Sequence, residues 1–258
     1  LYRDGSLSHL SLPPGLLKSV LNLNLNESGS FIGDTARYTT TLWSNASNPV
    51  VFNIGAISIN DKNQMVGKTG SGLDTSAALF YGDHTIDIGK GYSWIKYAEA
   101  VDINDNGLVV AYGFGESGGY KSFIWENGET RPLQGGKSIA HSLNDHGIVV
   151  GEQFVGLEAG ENFHLSTRAV IWDGYHQYQL NDFLDQETKD AGWILITAND
   201  INNNGWVVGE AFNILNGSIH AYALSTDEML SPIPEPSTYL MLLAGLGLLG
   251  FVGRKNAA

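Results

Sequence analysis

The residues best suited to chemistry in this chain are the oxygen-bearing side chains of a recurring Asn-Asp-x-Gly segment. One copy, Asp102-Ile103-Asn104-Asp105-Asn106-Gly107, spaces carboxylates and amides much as a calcium loop does. A calcium loop of the EF-hand type needs a glutamate at its twelfth position, and that position here is Gly113. We therefore expect a hairpin turn at this segment and no metal site.

Five copies of this segment occur along the chain, each between apolar stretches. Asn, Asp and Gly tolerate the positive φ of tight hairpin turns, which explains all five copies at once. The predicted turn positions are Asn26, Gly29, Asn60, Asp61, Asn104, Asp105, Gly107, Asn144, Asp145, Gly147, Asn202 and Gly205. Since Asp61, Asp105 and Asp145 occupy equivalent turns, we interpret these carboxylates as structural and not catalytic.

Other patterns of a catalytic type lack the context that their chemistry needs. Gly115-x-Ser117-x-Gly119 has the spacing of a nucleophile elbow, but a predicted strand follows it where a helix is required. Gly245-x-Gly247-x-x-Gly250 has the spacing of a dinucleotide fingerprint without the βαβ unit around it. The seven histidines show no metal-ligand spacing, and the chain has no cysteine. We expect no enzymatic activity, no cofactor and no bound metal.

The elements that position the turns follow from a second segment shared by every copy. An apolar, aromatic stretch comes after each turn: Thr41-Leu42-Trp43, Leu79-Phe80-Tyr81, Phe123-Ile124-Trp125, Val170-Ile171-Trp172 and Tyr222-Ala223-Leu224. In the third copy the pattern predicts strands at 98–103, 108–114, 121–125 and 129–133. Four antiparallel strands in about 40 residues is the size of one β-propeller blade. The sequence predicts an all-β, propeller-like array of about five four-stranded blades over residues 1–230, followed by a short C-terminal hydrophobic helix.

This repeat pattern resembles the HAF-type extracellular repeat, with His220-Ala221-Tyr222 nearest to the His-Ala-Phe stretch that names it. The resemblance implies an extracellular, propeller-like module without enzymatic activity. Residues 1–10 align with the third and fourth strands of a repeat. These residues either complete the last blade and close a ring, or follow repeats that are missing from the sequence.

Two insertions distinguish the later copies, at 156–166 and at 181–190. Insertions in a propeller fall on loops of one face, where ligands usually bind, and the second has the composition of a helical turn. Several aromatic residues could stack on sugar rings, although packing between blades explains most of them: Tyr92, Trp94, Tyr120, Tyr175, Tyr178 and Trp193. The formal net charge of −13 opposes binding to nucleic acid.

The last segment, residues 231–258, has three parts in a fixed order. Pro234-Glu235-Pro236 precedes an apolar run over 239–253, and Arg254 and Lys255 follow that run. A helix of this length reaches only about 22 Å, against a hydrocarbon core of about 30 Å. We predict a short transmembrane segment at about 238–253, with the basic end on the cytoplasmic side and everything before it outside.

This order of parts resembles the PEP-CTERM sorting signal of Gram-negative exopolysaccharide producers. The resemblance implies recognition by an exosortase, transient anchoring in the inner membrane and cleavage near the Pro-Glu-Pro turn. We therefore expect a non-catalytic protein that is exported to the cell surface or to the exopolysaccharide (biofilm) matrix. Two alternatives stay open: a glycan-binding, lectin-like propeller, and a glycoside hydrolase with carboxylates around a central channel.

Overall fold

Almost all regular structure in the described part of the chain is β-strand. A computed structural model describes residues 2–3, 6–7, 21–36, 39–44, 49–70, 72–89, 95–115, 118–156, 162–174 and 176–226. These residues form a short N-terminal hairpin of β1 (Tyr2–Arg3) and β2 (Ser6–Leu7), followed by five antiparallel sheets. The prediction of an all-β fold is confirmed.

Each of the five sheets takes its strands in chain order, so that neighbours in sequence are also hydrogen-bonded neighbours. Sheet 1 contains β3 (Leu21–Leu25), β4 (Phe31–Ala36), β5 (Thr39–Trp43) and β6 (Val50–Phe52). Sheet 2 contains β7 (Gly55–Ile59), β8 (Met65–Thr69), β9 (Ser76–Tyr81) and β10 (His84–Asp87). Sheet 3 contains β11 (Ile95–Ile103), β12 (Val109–Gly115), β13 (Tyr120–Glu126) and β14 (Glu129–Pro132). Sheet 4 contains β15 (Ser138–Leu143), β16 (Ile148–Phe154), β17 (Thr167–Asp173) and β18 (His176–Gln179).

Sheet 5 contains β19 (Trp193–Ile201), β20 (Trp206–Asn213) and β21 (Ile219–Ser225), three strands within the described residues. A fourth strand predicted near 227–230 lies outside the described residues. Four-stranded meanders that follow one another along the chain are the blades of a β-propeller, so the propeller-like prediction is confirmed.

Successive sheets pack face to face, because a single sheet leaves an apolar face exposed to water. The first strand of each sheet contacts the second strand of the sheet before it. Ile32 of sheet 1 lies in one apolar cluster with Ile59 of sheet 2, and Val66 of sheet 2 lies in another with Ile103 of sheet 3. The core is therefore a series of layers between sheets.

The aromatic residue near the end of the third strand is fully buried in sheets 1 and 4, whereas the equivalent Tyr81 of sheet 2 is 43% exposed. Trp172 at the end of β17 is fully buried in a cluster that includes Val110 of sheet 3. Its indole Nε1 donates a hydrogen bond to the Gln134 carbonyl at 2.7 Å. Trp43 is likewise fully buried and stacks on Phe31, with ring centroids 5.0 Å apart.

The first strand of each sheet, here called its inner strand, carries a β-bulge shortly before its Asn-centred turn. In sheet 3 the register between β11 and β12 shifts between Ala100 and Asp102, and in sheet 4 the register between β15 and β16 shifts between Ala140 and Ser142. A bulge bends the strand and redirects side chains. Gly151 pairs with Ala140 at this bend, where a Cβ atom would lie 2.8 Å from the Ala140 Cα.

The chain separates into two units, Leu1–Ser225 and Thr226–Ala258. The predicted boundary at residue 230 falls close to this division. Within the described residues, no helix has the length and apolar character needed to cross a bilayer. The hydrophobic helix predicted at about 238–253 and the sorting residues Pro234, Glu235, Pro236, Arg254 and Lys255 lie outside the described residues.

Candidate functional site

All five Asn-centred turns converge on one cavity of about 360 Å³, here called the turn cavity. Each repeat contributes its asparagine and the residue after it to the wall: Asn26, Glu27, Asn60, Asp61, Asn104, Asp105, Asn144, Asp145, Asn202 and Asn203. The structure therefore brings together turn residues that lie far apart in the sequence.

Within its own turn, each asparagine acts through its side-chain oxygen. The Oδ1 atom of Asn104 accepts hydrogen bonds from the backbone N–H groups of Asn106 and Leu108, at 3.1 and 2.9 Å. The positive φ of this turn falls on Gly107 alone. The expectation that Asn and Asp are selected for positive φ is therefore wrong at this turn, because the asparagine instead satisfies backbone donors that the turn leaves unpaired.

The side-chain nitrogen of each of the first four turn asparagines connects its turn to the next repeat. Asn26 Nδ2 donates to the Asn60 carbonyl at 2.8 Å, and Asn60 Nδ2 donates to the Asn104 carbonyl at 3.0 Å. Asn104 donates in the same way to Asn144 at 3.0 Å, and Asn144 donates to Asn202 at 3.2 Å. Four consecutive bonds of one type thus join five turns into a ladder around the cavity.

A second row of hydrogen bonds runs beside this ladder and uses the residue after each asparagine. The Oδ1 atom of Asp105 accepts from the backbone N–H of Asp61 at 2.7 Å, and Asp145 accepts from Asp105 at 2.9 Å. Asn203 accepts from Asp145 at 2.8 Å. The carboxylates of Asp61, Asp105 and Asp145 each accept from a neighbouring turn, and the described residues include no cluster of three or more acidic or histidine side chains suited to a metal ion.

Sequence reasoning missed a set of polar residues two positions before each asparagine. The Asp102 carboxylate accepts from Ser58 Oγ of the preceding sheet at 2.7 Å and from Ser142 Oγ of the following sheet at 2.9 Å. It also accepts from the backbone N–H groups of Ile103 and Leu143. Burial raises the pKa of Asp102, and its four hydrogen bonds oppose this rise.

Asp200 occupies the equivalent position in sheet 5, and its Oδ1 atom lies 2.8 Å from Ser142 Oγ, whose single proton can be donated to only one of the two carboxylates at a time. Asp102 and Asp200 therefore lie on either side of one serine hydroxyl, whereas the two carboxylates of a glycoside hydrolase lie on either side of the scissile glycosidic bond. Both oxygens of Asp102 already accept hydrogen bonds from neighbouring sheets, which is the arrangement of a structural carboxylate. The signal in the sequence was a polar residue at this position in every repeat: Asn24, Ser58, Asp102, Ser142 and Asp200.

A second cavity of about 430 Å³, here called the insertion pocket, lies at the 181–190 insertion. This insertion contains a 3₁₀ turn at Leu180–Phe183 and the helix α1 (Gln186–Asp190), in agreement with the predicted helical turn. Asp185 caps the helix by accepting from the Thr188 backbone N–H at 2.7 Å. That bond lowers the pKa of the Asp185 carboxyl group, which is ionised at neutral pH.

The insertion forms one wall of this pocket and sheet 5 forms the other. Phe183, Asp185 and Thr188 face Trp193 and His220, whose ring centroids lie 4.9 Å apart. Of the aromatic residues considered for sugar stacking, Trp193 lines this pocket, while Tyr120 stacks on Phe154 and contacts Tyr112 edge-on. Of the other four, Tyr178 is 42% exposed, and Tyr92, Trp94 and Tyr175 lie outside the described residues. An indole ring beside a carboxylate and an imidazole is suited to a polar ring-shaped ligand.

Comparison with known proteins addresses the C-terminal tail directly. Residues 232–256 match the PEP-CTERM protein-sorting motif. The chain carries a PEP-CTERM sorting signal. The signal implies export, transient anchoring at the C terminus and exosortase-dependent sorting to the cell surface, as the tripartite tail predicts. The HAF-type assignment of the repeats stays a prediction.

Among solved structures, the chain is similar to the β-propeller domain of the Trilobed protease from Pyrococcus furiosus, which is described as having an open velcro topology. The two chains are 13% identical with a TM-score of 0.49, and the similarity covers 80% of this chain and 67% of that chain. No curated protein matches the sequence.

Proposed function

We propose that this chain is a non-catalytic structural protein of the cell surface or the exopolysaccharide matrix, delivered by an exosortase through its PEP-CTERM tail. The match at residues 232–256 carries this proposal. Pro234-Glu235-Pro236 provides the recognition turn, and the apolar run after it inserts in the inner membrane. Arg254 and Lys255 hold the end of the chain in the cytoplasm until cleavage, since basic residues next to an apolar helix resist translocation.

The hydrogen bonds of the repeat domain support a scaffold role for the exported part. Most polar side chains at the turn cavity bind neighbouring turns. Asn104 and Asp105 each contact the next or the preceding repeat through a side-chain atom. A rigid, repeat-built surface of this kind suits adhesion or scaffolding.

The sorting proposal is tested by replacing Pro234, Glu235 and Pro236 with alanine in a host that has an exosortase. We expect the variant to stay in the inner membrane fraction at full mass, while the native chain reaches the surface. Glu228→Ala, which changes an acidic residue before the motif, is the matched control and should behave as the native chain. Equal surface delivery of the triple variant would contradict the proposal.

A second candidate function, glycan binding, is supported by the insertion pocket. The pocket belongs to one repeat, whose insertion the other repeats lack, and it combines Trp193 with Asp185, Thr188 and His220. Aromatic stacking together with a few polar groups is a common way to bind sugar rings. The ligand class would be oligosaccharides, including those of the surrounding matrix.

A glycan array followed by calorimetry on the native chain tests this second function. Trp193→Ala should abolish binding of every glycan that the native chain binds. Trp206→Ala removes a tryptophan that is exposed on another surface of sheet 5, and binding should persist in this control. An array without signal, or equal binding by both variants, would exclude the insertion pocket as a glycan site.

A further inference from the structure

Three of the four junctions between sheets show one rule of packing. The residue six positions after a turn asparagine packs toward the following sheet. There it contacts the residue that directly precedes the turn asparagine of that following sheet. Ile32 clusters with Ile59, Val66 with Ile103, and Val110 with Leu143. In the repeats where a following sheet exists, the first residue of the pair is fully buried: Ile32, Val66, Val110 and Val150 are each 0% exposed.

Sheet 1 and sheet 5, the first and the last in the chain, break this rule. Among the described residues, each has one face without a neighbouring repeat sheet, here called its outer face. Val208 of sheet 5 is equivalent to Val110 but is 43% exposed. Leu25 of sheet 1 is equivalent to Ile103 but is 64% exposed, whereas the other four residues at this position are 4–6% exposed. Trp206 and Ile219 extend the exposed apolar surface of sheet 5, and Leu23 and Val51 extend that of sheet 1.

The hydrogen-bond ladder ends at the same two faces. Asn202 Nδ2, which corresponds to the donors of the four preceding turns, donates to no described residue. The Asp200 carboxylate accepts from Ser142 but has no described donor from a following sheet, whereas Asp102 has donors from both sides. At an internal junction, both sheets contribute side chains to these contacts. Each outer face presents the same side chains without the partner sheet.

The N-terminal hairpin indicates what completes these contacts. β1 and β2 pair Tyr2 with Leu7 and Arg3 with Ser6, with two residues between the strands. The outer hairpin of sheet 3 pairs Trp125 with Thr130 and Glu126 with Glu129 in the same way. The hairpin therefore has the register of the outer half of a repeat sheet.

We propose that the outer faces of sheet 5 and sheet 1 hold between them one further sheet of the same repeat. Its outer half is the β1–β2 hairpin, and its inner half is a hairpin with another Asn-centred turn that precedes β1 in the same polypeptide. The apolar residue before that asparagine packs on Val208, and the residue six positions after it packs on Leu25. The asparagine accepts the bond from Asn202 and donates to Asn26, which closes the ladder into a ring.

The proposal is tested by adding the inner half and measuring the exposure of both faces. The inner half is supplied by a copy of residues 95–123, which contains β11, its turn and β12, fused before Leu1. This fusion point follows from the sequence alignment, in which β1 corresponds to β13. The chain has no cysteine, so single Val208→Cys and Leu25→Cys variants each report one face through their rate of reaction with a maleimide. Val110→Cys, at an internal junction, is the control for a buried thiol.

In the chain without the extension, both outer thiols should react freely and the Val110→Cys thiol should react slowly. The extension should slow both outer thiols by about tenfold or more, as expected when an apolar side chain becomes buried. An extension with Ile103→Asp and Val110→Asp in the copied segment should give no protection. Unchanged reaction rates with the native extension, or slow reaction of both outer thiols without it, would overturn the proposal.

Discussion

The side-chain amide of Asn104 donates a hydrogen bond to the backbone carbonyl of Asn144, 40 residues away, at 3.0 Å. Its oxygen meanwhile accepts from two backbone N–H groups of its own turn. One buried side chain therefore fixes the local turn and ties it to the next sheet. The same bond recurs at every junction, which explains why an amide and not a hydroxyl or a carboxylate stands at each of these turns.

The first prediction separates the two roles of this asparagine. Asn104→Asp keeps the oxygen that accepts from the turn and removes the donor to Asn144, so a buried carbonyl loses its partner. We expect the free energy of unfolding to fall by about 1–3 kcal/mol in chemical denaturation. Asn202→Asp is the matched control, because the Asn202 amide has no described acceptor, and it should cost less than about 0.5 kcal/mol. Equal losses in the two variants would refute the structural role of the ladder.

The second prediction concerns the glycine opposite the bulge of sheet 4. A Cβ atom at Gly151 would overlap the carbonyl oxygen of Ile139, so Gly151→Ala should destabilise the protein by about 1–3 kcal/mol through overpacking. Gly136→Ala places its Cβ near only the flexible Gln153 side chain, and should be close to neutral. Thermal unfolding of both variants measures the difference. A neutral Gly151→Ala would show that the bulge adapts without cost.

The third prediction follows from the raised pKa of Asp102. Burial raises the pKa of Asp102 in the folded state above its unfolded value of 3.8. At a pH between these two pKa values, the folded protein therefore binds more protons than the unfolded chain does. The contribution of Asp102 to stability is therefore complete below the unfolded pKa and is lost as the pH rises through the folded pKa. Asp102→Asn removes this titration.

Denaturation of the native chain and of Asp102→Asn at a series of pH values tests this linkage. The native chain should gain stability relative to the variant as the pH falls from about 7 to about 3.5. An unfolding free-energy difference that is independent of pH, or that shrinks toward low pH, would contradict a raised pKa at Asp102.

The fourth prediction concerns the buried tryptophan between sheets 3 and 4. Trp172→Phe leaves a cavity and removes the hydrogen bond to the Gln134 carbonyl, so it should lower the free energy of unfolding by about 2–4 kcal/mol. Trp206→Phe changes an exposed tryptophan and should stay within about 0.5 kcal/mol of the native value. Similar effects of the two substitutions in urea denaturation would argue against packing of Trp172 between sheets.

The sequence was sufficient to predict the blades because strand alternation and turn chemistry are local. The four strands of the third repeat lie at Ile95–Ile103, Val109–Gly115, Tyr120–Glu126 and Glu129–Pro132, within a few residues of the predicted bounds. The helical turn at 181–190 was predicted for the same reason. Each of these features depends on residues close together in the chain.

The contacts between repeats were harder to predict, because they join residues 34 to 58 positions apart. Sequence reasoning placed Asn104 in a turn but attributed its presence to backbone conformation, whereas its amide bonds to the next sheet. It considered Asp102 only as part of a calcium-type loop and missed its contacts with both neighbouring sheets, although a polar residue precedes every turn asparagine by two positions. A repeated polar residue inside an otherwise apolar strand was the available signal, since buried polar groups need partners.

Intact mass spectrometry of the exported protein tests the central claim most directly. If the tail is a removable sorting signal, the chain recovered from the cell surface will lack the residues that follow the Pro-Glu-Pro turn, and deletion of the exosortase will restore the full mass. Recovery at the surface of a chain that still carries Arg254 and Lys255, with or without the exosortase, would contradict it.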